Sequence, residues 1–163
     1  MARALANEPG ALANEPDCLA CQTLTGAIAV PGGVIWSTDH WVADHCLGAL
    51  GLGAIVLKTR RHCENLWDLT SAESAELGHM LKMLSGAMVQ ALGADRVYVS
   101  LWVDQRPYHV HFVLQPRYPE PAEAGLKGWK LQVARLSQAS PDDEQMAIAA
   151  EKVRNSLQAQ GYC

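Results

Sequence analysis

The chain has 163 residues, 49% apolar and 18% charged, a balance typical of one soluble globular domain and not of a disordered or fibrous protein. Its net charge of −4 lacks the basic excess that attracts a phosphate backbone, so nucleic acid is not expected as a partner. No apolar run approaches the ~20 residues that span a bilayer, and the N-terminal stretch lacks the features of a signal peptide. A cytoplasmic protein with no membrane partner is predicted.

The N-terminal part of the chain divides into an arm and the start of a domain. Residues 1–16 contain the tandem repeat ALANEPG and ALANEPD, which has two prolines and no hydrophobic period, so they are predicted to be disordered. Residues 17–163 are predicted to form a single domain. Short β-prone runs at Gly26–Val30, Val34–Trp36 and His40–Ala43, separated by turn residues, predict a hairpin region.

A strand and a long helix follow. Ala54–Leu57 has the composition of a strand. Thr70 is suited to cap a helix N-terminus, with Glu73 as its capping-box partner, and apolar residues recur at three- and four-residue spacing until Gly93. The pattern predicts a long amphipathic helix between Thr70 and Gly93.

The C-terminal part repeats this order of strands and helix. Arg96–Val103 and His109–Gln115 are predicted strands, and a final helix is predicted to begin at Ser140-Pro141, with acidic residues in its first turn. The order indicates an α+β fold, with an antiparallel β-sheet, one long helix and a C-terminal helix.

Two histidines lie on one predicted strand. Because side chains alternate along a strand, His109, His111, Val113 and Gln115 share one face, and the apolar residues between them share the other. This pattern suits a site on one face and a core on the other. Hydrogen-bonded structural histidines would produce the same pattern, so the alternation alone leaves both interpretations open.

A CxxC motif, Cys18-Leu-Ala-Cys21, lies near the start of the domain. In a reducing compartment this spacing indicates metal or redox chemistry before a disulfide. A thioredoxin-like redox pair requires a strand before the motif and a helix after it, and that βαβ context is missing. Metal binding is the preferred hypothesis, with unligated thiols as the remaining alternative.

Three segments together resemble one protein family. His109-Val-His-Phe-Val-Leu-Gln-Pro-Arg-Tyr118 resembles the His-φ-His-φ-His-φ-φ signature of the histidine-triad superfamily of nucleotide hydrolases and transferases. Lys58-Thr-Arg-Arg-His62 resembles that family's strand end, basic turn and histidine, and Cys18-Leu-Ala-Cys21 resembles the CxxC of many bacterial members. The resemblance covers roughly residues 18–118 and implies the histidine-triad fold.

The resemblance implies a zinc site. In the CxxC-bearing members the ligands are two cysteines, the histidine after the basic turn and the first triad histidine. The matching residues here are Cys18, Cys21, His62 and His109. Two thiolates and two neutral imidazoles form a closed tetrahedral set with no position left for water, so the zinc is expected to be structural.

The resemblance also implies a catalytic mechanism. The second triad histidine, here His111, attacks the α-phosphate of a nucleotide ester, amidate or anhydride, and water then hydrolyses the nucleotidyl-histidine. Gln105 stands at the position of a catalytic-loop glutamine. Arg106 replaces a serine and is expected to contact the substrate phosphate, although an exposed structural arginine is an equal alternative.

Two features depart from the family pattern or stay ambiguous. The third triad position is Val113, which cannot donate to a phosphate oxygen, so slow turnover is expected unless Gln115, on the same face, or Arg106 compensates. The family's ribose-binding acidic residue should fall near Asp44–Cys46, and Asp44 and His45 are the candidates for substrate binding there.

The resemblance predicts an enzyme, a hydrolase or nucleotidyl transferase acting on dinucleoside polyphosphates, nucleoside phosphoramidates or related compounds. A non-catalytic nucleotide-sensing or partner-binding module, and a transferase with a specialised acceptor, are the alternatives. A homodimer formed through the long helix and an adjoining strand is expected as well, with small residues permitting close approach at Gly78, Gly86 and Ala87.

Overall fold

The computed structural model describes residues 15–119 and 125–162, in which four α-helices and one 3-10 helix, Leu66–Asp68, accompany a five-stranded sheet. The α+β class with an antiparallel sheet is confirmed. Nearly all of the predicted arm, residues 1–16, lies outside the described residues. The elements in chain order are α1 Leu19–Thr25, β1 Val34–Ser37, β2 Trp41–His45, β3 Ile55–Thr59, α2 Ser71–Leu92, β4 Arg96–Ser100, β5 His111–Arg117, α3 Trp129–Leu136 and α4 Asp143–Ala159.

The sheet has the order β1-β2-β3-β5-β4, and every neighbouring pair is antiparallel. The last two strands are out of chain order because β3 is followed by α2, which carries the chain to the edge position of β4. β5 then enters between β3 and β4. This insertion places His111 inside the sheet, opposite Lys58 of β3, and places His109 just before the strand, beside Thr59.

The register separates a core face from a site face. Ala43, Leu57 and Phe112 lie opposite one another on neighbouring strands and are buried in the core beneath α2 and α4. One residue along, Asp44, Val56 and Val113 form the corresponding row on the other face. The alternation predicted for the histidine strand is therefore observed.

The long helix agrees with its predicted caps. Thr70 is the N-cap of α2, its side chain accepts from the Glu73 amide at 3.2 Å, and the Glu73 carboxylate accepts from the Thr70 amide at 2.7 Å. Gly93 ends the helix in the left-handed region at φ 70°. These local hydrogen bonds explain why both ends could be predicted from the sequence.

Other boundaries differ from the predictions. Residues 26–30 form a turn and an irregular stretch, because α1 ends at Thr25 and its C-cap, Gly26, is in the left-handed region at φ 78°. Neither α1 nor α3 was predicted, because helices of seven and eight residues show too little of a hydrophobic period. α4 begins at Asp143, after the predicted Ser140-Pro141, because Asp142 supplies the capping box with Gln145.

Two predicted strands also change their limits. β4 ends at Ser100, and residues 101–110 form an irregular segment before β5 begins at His111. His109 therefore precedes the strand, and its side chain contacts the CxxC segment. Among the described residues, no helix is both long enough and apolar enough to cross a membrane.

The capping box of α2 is tied to the basic turn by an ion pair. Arg61 donates to both carboxylate oxygens of Glu73, at 2.7 and 2.9 Å, and the Glu73 side chain is only 3% exposed. Burial by itself raises the pKa of Glu73, but the hydrogen bonds from Arg61 and Thr70 outweigh it and hold that pKa below its ordinary value of 4.5. The ionised form is thus favoured in the folded protein.

We expect Glu73→Gln to lower the free energy of unfolding by about 1–2 kcal/mol at neutral pH, because a neutral amide keeps the cap and loses the charged bond to Arg61. A depressed pKa in the folded state stabilises it above the ordinary pKa, and this stabilisation is lost as the pH falls. The difference in the free energy of unfolding between parent and variant, measured by urea unfolding, should have its full value above about pH 5 and shrink below about pH 4. A constant difference down to about pH 3, or an equal effect of Glu151→Gln on the exposed face of α4, would contradict this.

Candidate active site

Four side chains from three separate segments meet beside the end of β3. The ligand atoms of Cys18, Cys21, His62 and His109 all lie within 4.8 Å of one another. The Cys21 sulfur is 3.3 Å from His62 Nδ1 and 3.6 Å from His109 Nδ1, and the Cys18 sulfur is 3.5 Å from His109 Nδ1. Around a tetrahedral zinc, sulfur and nitrogen ligands are roughly 3.6 Å apart. The spacing therefore fits a single metal ion.

The protonation of the cluster fits a metal as well. His109 Nε2 donates to the Thr59 carbonyl at 2.9 Å, so Nδ1 is the unprotonated nitrogen and faces the two sulfurs. Burial raises the pKa of the Cys21 thiol to about 12 and lowers the pKa of His109 to about 4. Both groups are neutral without a cation, and a divalent cation would supply the charge that stabilises buried thiolates.

A cleft of about 660 Å³ opens on the site face of the sheet, next to this cluster. Its walls come from α1, from the ends of β2 and β3, from the loop of residues 46–53, and from the segment between β4 and β5. The volume suits a ligand of nucleotide size. His111 and Val113 of β5 both line it.

His111 is presented to the cleft in one tautomer. Its Nδ1 lies 2.8 Å from the His109 carbonyl, and because a carbonyl only accepts, Nδ1 carries the proton. Nε2 then keeps its lone pair. The His111 side chain is partly exposed where it lines the cleft, so this lone pair is available to a bound electrophile.

Asp44 and Lys58 form a buried ion pair in the cleft wall. The Lys58 ammonium donates to Asp44 Oδ2 at 2.6 Å, and both side chains are at most 4% exposed. Asp44 Oδ1 is buried and, within the described part of the chain, has no hydrogen-bond partner. Burial raises the pKa of Asp44, while the Lys58 ammonium opposes that rise. An unpartnered acceptor in a cleft wall indicates a ligand that donates a hydrogen bond.

His45, the other candidate for substrate binding, has both ring nitrogens engaged by the protein. Nδ1 donates to the Cys46 carbonyl at 2.8 Å, and Nε2 accepts from the Gly53 amide at 2.9 Å. Burial lowers the pKa of His45, which keeps the ring neutral. Gly53 has φ 80°, and a Cβ there would meet the Leu92 and Tyr118 side chains at 2.6 and 2.7 Å. His45 thus holds the loop of residues 46–53 in a conformation that requires glycine.

The segment between β4 and β5 carries the remaining candidates. Gln105 and Arg106 are exposed and line the cleft mouth. The Arg106 guanidinium lies over the Tyr108 ring, 4.8 Å from its centroid. Both residues are therefore brought to the same cleft as His111, on a segment that can approach a ligand from the solvent side.

The structure does not bring Gln115 to the cleft. It shares the face of His111 and Val113, but the loop of residues 46–53 covers this end of β5. The Gln115 amide donates to the Leu50 carbonyl at 2.7 Å, and the residue is 1% exposed. Its donor is used to hold the loop, so the compensation considered for Val113 has no support from Gln115.

Sequence reasoning missed Lys58 and Thr23, which lie together in the cleft wall. Thr23 accepts from the Lys58 ammonium at 2.6 Å and donates to the Ala20 carbonyl at 2.9 Å. The sequence prediction ended this strand at Leu57 and assigned Lys58 to the basic turn, whereas β3 continues to Thr59 and buries the lysine. The β-prone run that leads directly into Lys58 was the available signal. Thr23 had no such signal, because α1 itself was not predicted.

Neither protein-family profiles nor curated proteins match the chain. Solved structures, in contrast, match the chain over most of its length. A histidine triad family protein from Mycobacterium smegmatis, described as zinc-bound, is 16% identical with a TM-score of 0.67, covering 89% of this chain and 96% of its own. A hypothetical histidine triad nucleotide-binding protein from Sulfolobus tokodaii is 18% identical with a TM-score of 0.69, covering 87% and 93%.

A Hit-like protein from Bartonella henselae, described as involved in cell-cycle regulation and solved with an unknown ligand, is similar to the same extent. It is 17% identical with a TM-score of 0.68, and the match covers 88% of this chain and 98% of that one. The class defined by fold and site is an α+β protein with a Cys2His2 cluster beside an open cleft. The chain has the histidine-triad fold, as the sequence resemblance implied.

Proposed function

We propose that the protein is a nucleotide-binding hydrolase or nucleotidyl transferase that works through a nucleotidyl-histidine at His111. One observation carries the proposal: the His109 carbonyl binds Nδ1–H of His111, which leaves the Nε2 lone pair for a ligand in the cleft. A histidine held in this tautomer is arranged as a nucleophile. The fold, shared with a histidine triad nucleotide-binding protein, is consistent with this ligand class.

The reaction has two steps. His111 Nε2 attacks the α-phosphorus, a nitrogen–phosphorus bond forms, and the bond to the leaving group breaks with its electron pair going to that group. Water, or the hydroxyl of another acceptor in a transferase, then attacks the same phosphorus, forms an oxygen–phosphorus bond and releases its proton to solvent. The nitrogen–phosphorus bond breaks, the lone pair returns to Nε2, and a nucleoside monophosphate or its ester leaves. Dinucleoside polyphosphates and nucleoside phosphoramidates are the substrate classes proposed.

The substrate contacts are assigned by what the cleft offers. Asp44 Oδ1 is proposed to accept from a ribose hydroxyl, since it is a buried acceptor without a partner in the described residues. Arg106 and Gln105, at the exposed mouth, are proposed to contact the phosphates and the leaving group. His45 is proposed to position the loop rather than to bind the substrate, because both of its nitrogens are used.

Zinc is proposed as the metal of the Cys2His2 cluster, where it would be structural. Cys18, Cys21, His62 and His109 would hold it and leave no open position, so its contribution is folding energy. It would also fix the backbone of His109, whose carbonyl orients His111. A reducing compartment such as the cytoplasm suits ligands that must remain thiols, and the net charge of −4 supports a small nucleotide over a nucleic acid as ligand.

The test is to trap the intermediate. The protein is mixed with a dinucleoside polyphosphate or a nucleoside phosphoramidate labelled at the α-phosphate, quenched without acid, and mapped by mass spectrometry. Label on His111 is the expected result. Label on another residue, or none on either substrate despite measured turnover, would refute the proposed mechanism. Nucleotide binding without turnover or label would favour the non-catalytic sensing module, which the loss of the third triad histidine at Val113 makes the second candidate.

A homodimer is proposed through α2 and the edge strand β4. Val89 on α2 and Val99 on β4 are 42% and 44% exposed, and a Cβ at Gly78 or Gly86 would meet nothing within 4 Å. Ala87, by contrast, is fully buried in the core and does not face a partner.

We expect light scattering at micromolar concentration to give about twice the monomer mass of 17.7 kDa. Gly86→Arg should shift the protein to monomer without lowering its melting temperature much, because the added side chain enters open space in the monomer. Ala139→Arg, at an exposed position between α3 and α4 and without a positive φ, is the control for added charge and volume. A monomeric parent would contradict the proposal, and so would a dimer that Gly86→Arg leaves intact.

A further inference from the structure

Lys58 is the cross-strand neighbour of the proposed nucleophile. In the antiparallel pair of β3 and β5, Lys58 stands directly opposite His111, and Val56 stands opposite Val113. Directly opposed residues have Cβ atoms about 4.5–5.5 Å apart and project from the same face. Lys58 therefore rises beside His111 into the wall of the cleft.

The ammonium group is held over the neighbouring row of residues. It donates to Asp44 Oδ2 and to Thr23 Oγ1, both at 2.6 Å. Asp44 lies in the cross-strand row of Val56 and Val113, whereas Lys58 lies opposite His111. The lysine side chain therefore extends from its position beside His111 toward that row. An ammonium has three donors, and the third has no partner in the described part of the chain.

A buried Asp–Lys pair is a poor way to stabilise a fold. Removing two charges from water offsets most of their attraction, and an apolar side chain such as that of Val56 would fill a strand position at less cost. The lysine instead provides a positive charge, with a donor that has no partner among the described residues, in the wall of the cleft that His111 also lines. That is the arrangement needed where negative charge develops on a phosphoryl group.

We propose that the Lys58 ammonium binds the nonbridging oxygens of the α-phosphate and stabilises their charge during transfer, the role for which Val113 offers no donor. This rests on the function proposed above. The Asp44–Lys58 pair then offers the ligand one acceptor and one donor that have no partner among residues 15–119 and 125–162, and these match a ribose hydroxyl and a phosphate oxygen of the same nucleotide. The lysine keeps its proton throughout: Nε2 of His111 forms the bond to phosphorus, and the leaving group takes the electron pair.

The test is a double-mutant cycle between Lys58 and Val113. Lys58→Met should lower kcat/KM by ~100-fold or more. In the parent background, Val113→His should change kcat/KM by less than ~3-fold. In the Lys58→Met background it should raise kcat/KM by at least ~10-fold, because the histidine supplies the donor that the lysine no longer provides. Equal effects of Val113→His in the two backgrounds would overturn the proposal. Because Lys58→Met leaves the Asp44 carboxylate unpaired, the cycle is repeated in an Asp44→Asn background, with melting temperatures checked for every variant.

A binding measurement separates this inference from the proposed chemistry. Titration calorimetry compares the tightest-binding common nucleoside 5′-monophosphate with its parent nucleoside. Lys58→Met should lower the affinity for the monophosphate by ~10-fold or more and the affinity for the nucleoside by less than ~2-fold. Lys58→Arg should restore part of the lost affinity for the monophosphate. Lys152→Met, on the exposed face of α4, is the control and should change neither.

Equal weakening of the two ligands would mean that Lys58 only neutralises Asp44, and would overturn the inference. If Lys58→Met loses affinity for the monophosphate alone and the parent protein shows no turnover, phosphate binding by Lys58 would be upheld and the proposed catalysis rejected. No binding of either ligand to the parent protein would reject both.

Discussion

His111→Ala should abolish nucleotidyl transfer and leave nucleotide binding largely intact. The variant removes the nitrogen that forms the bond to phosphorus, whereas the contacts proposed for the ribose and the phosphates come from Asp44, Lys58 and Arg106. A fall in turnover of at least ~1,000-fold is expected, with no label retained by the protein after the quench used for trapping. The affinity for nucleoside 5′-monophosphate should change by less than ~5-fold.

The matched control is His79→Ala. His79 lies on α2, where its ring contacts Tyr162 with centroids 5.8 Å apart, and it takes no part in the cleft. That variant should keep the activity of the parent. Turnover by His111→Ala at the parent rate, on any substrate the parent cleaves, would end the proposed mechanism.

Cys21→Ser should remove the metal and destabilise the fold. Cys21 lies 3.3 and 3.6 Å from the two histidine nitrogens of the cluster, so its sulfur is central to the ligand set. Because the binding energy of a structural zinc is largely folding energy, we expect the melting temperature to fall by more than ~10 °C. The zinc content of the variant should be well below one per chain. The parent, purified without chelator, should contain close to one zinc per chain.

Cys63→Ser is the matched control for losing a buried thiol. Cys63 is 2% exposed, lies next to His62 in the chain and is outside the four-residue cluster. Its sulfur bonds only weakly to the Asn65 carbonyl, at 3.4 Å, and a serine hydroxyl can replace that bond. Zinc content should stay at one per chain in this variant. A metal-free parent, or a Cys21→Ser variant as stable as Cys63→Ser, would refute the structural zinc.

Features governed by local hydrogen bonds and by side-chain alternation could be predicted from the sequence. The limits of α2 follow from the capping box of Thr70 and from Gly93, both of which act within a few residues. The placement of His111 and Val113 on one face follows from the period of a strand. The fold class followed from the order of the elements, and the resemblance to one family supported it.

Only the tertiary structure decided how distant segments meet. Cys18 and His109 are 91 residues apart in the chain, and their 3.5 Å contact depends on β5 entering the sheet beside β3. The family resemblance named these residues as a set, but spacing along the chain carries no information on a distance in space. The same holds for Gln115, which the strand period assigns to the site face and which the loop of residues 46–53 covers.

Lys58 shows most clearly what the sequence determined and what it did not. Within Ile55–Thr59 the alternation places Lys58 on the face opposite to Leu57, and nothing local says what stands across from it. The sheet order brings Asp44 and His111 to its two sides, from strands 14 residues before and more than 50 residues after it. The sequence determined which chemical groups the protein carries and which face of each element they occupy. Strand order and loop packing, which arise from burying the core as a whole, decided which of those groups share a cleft.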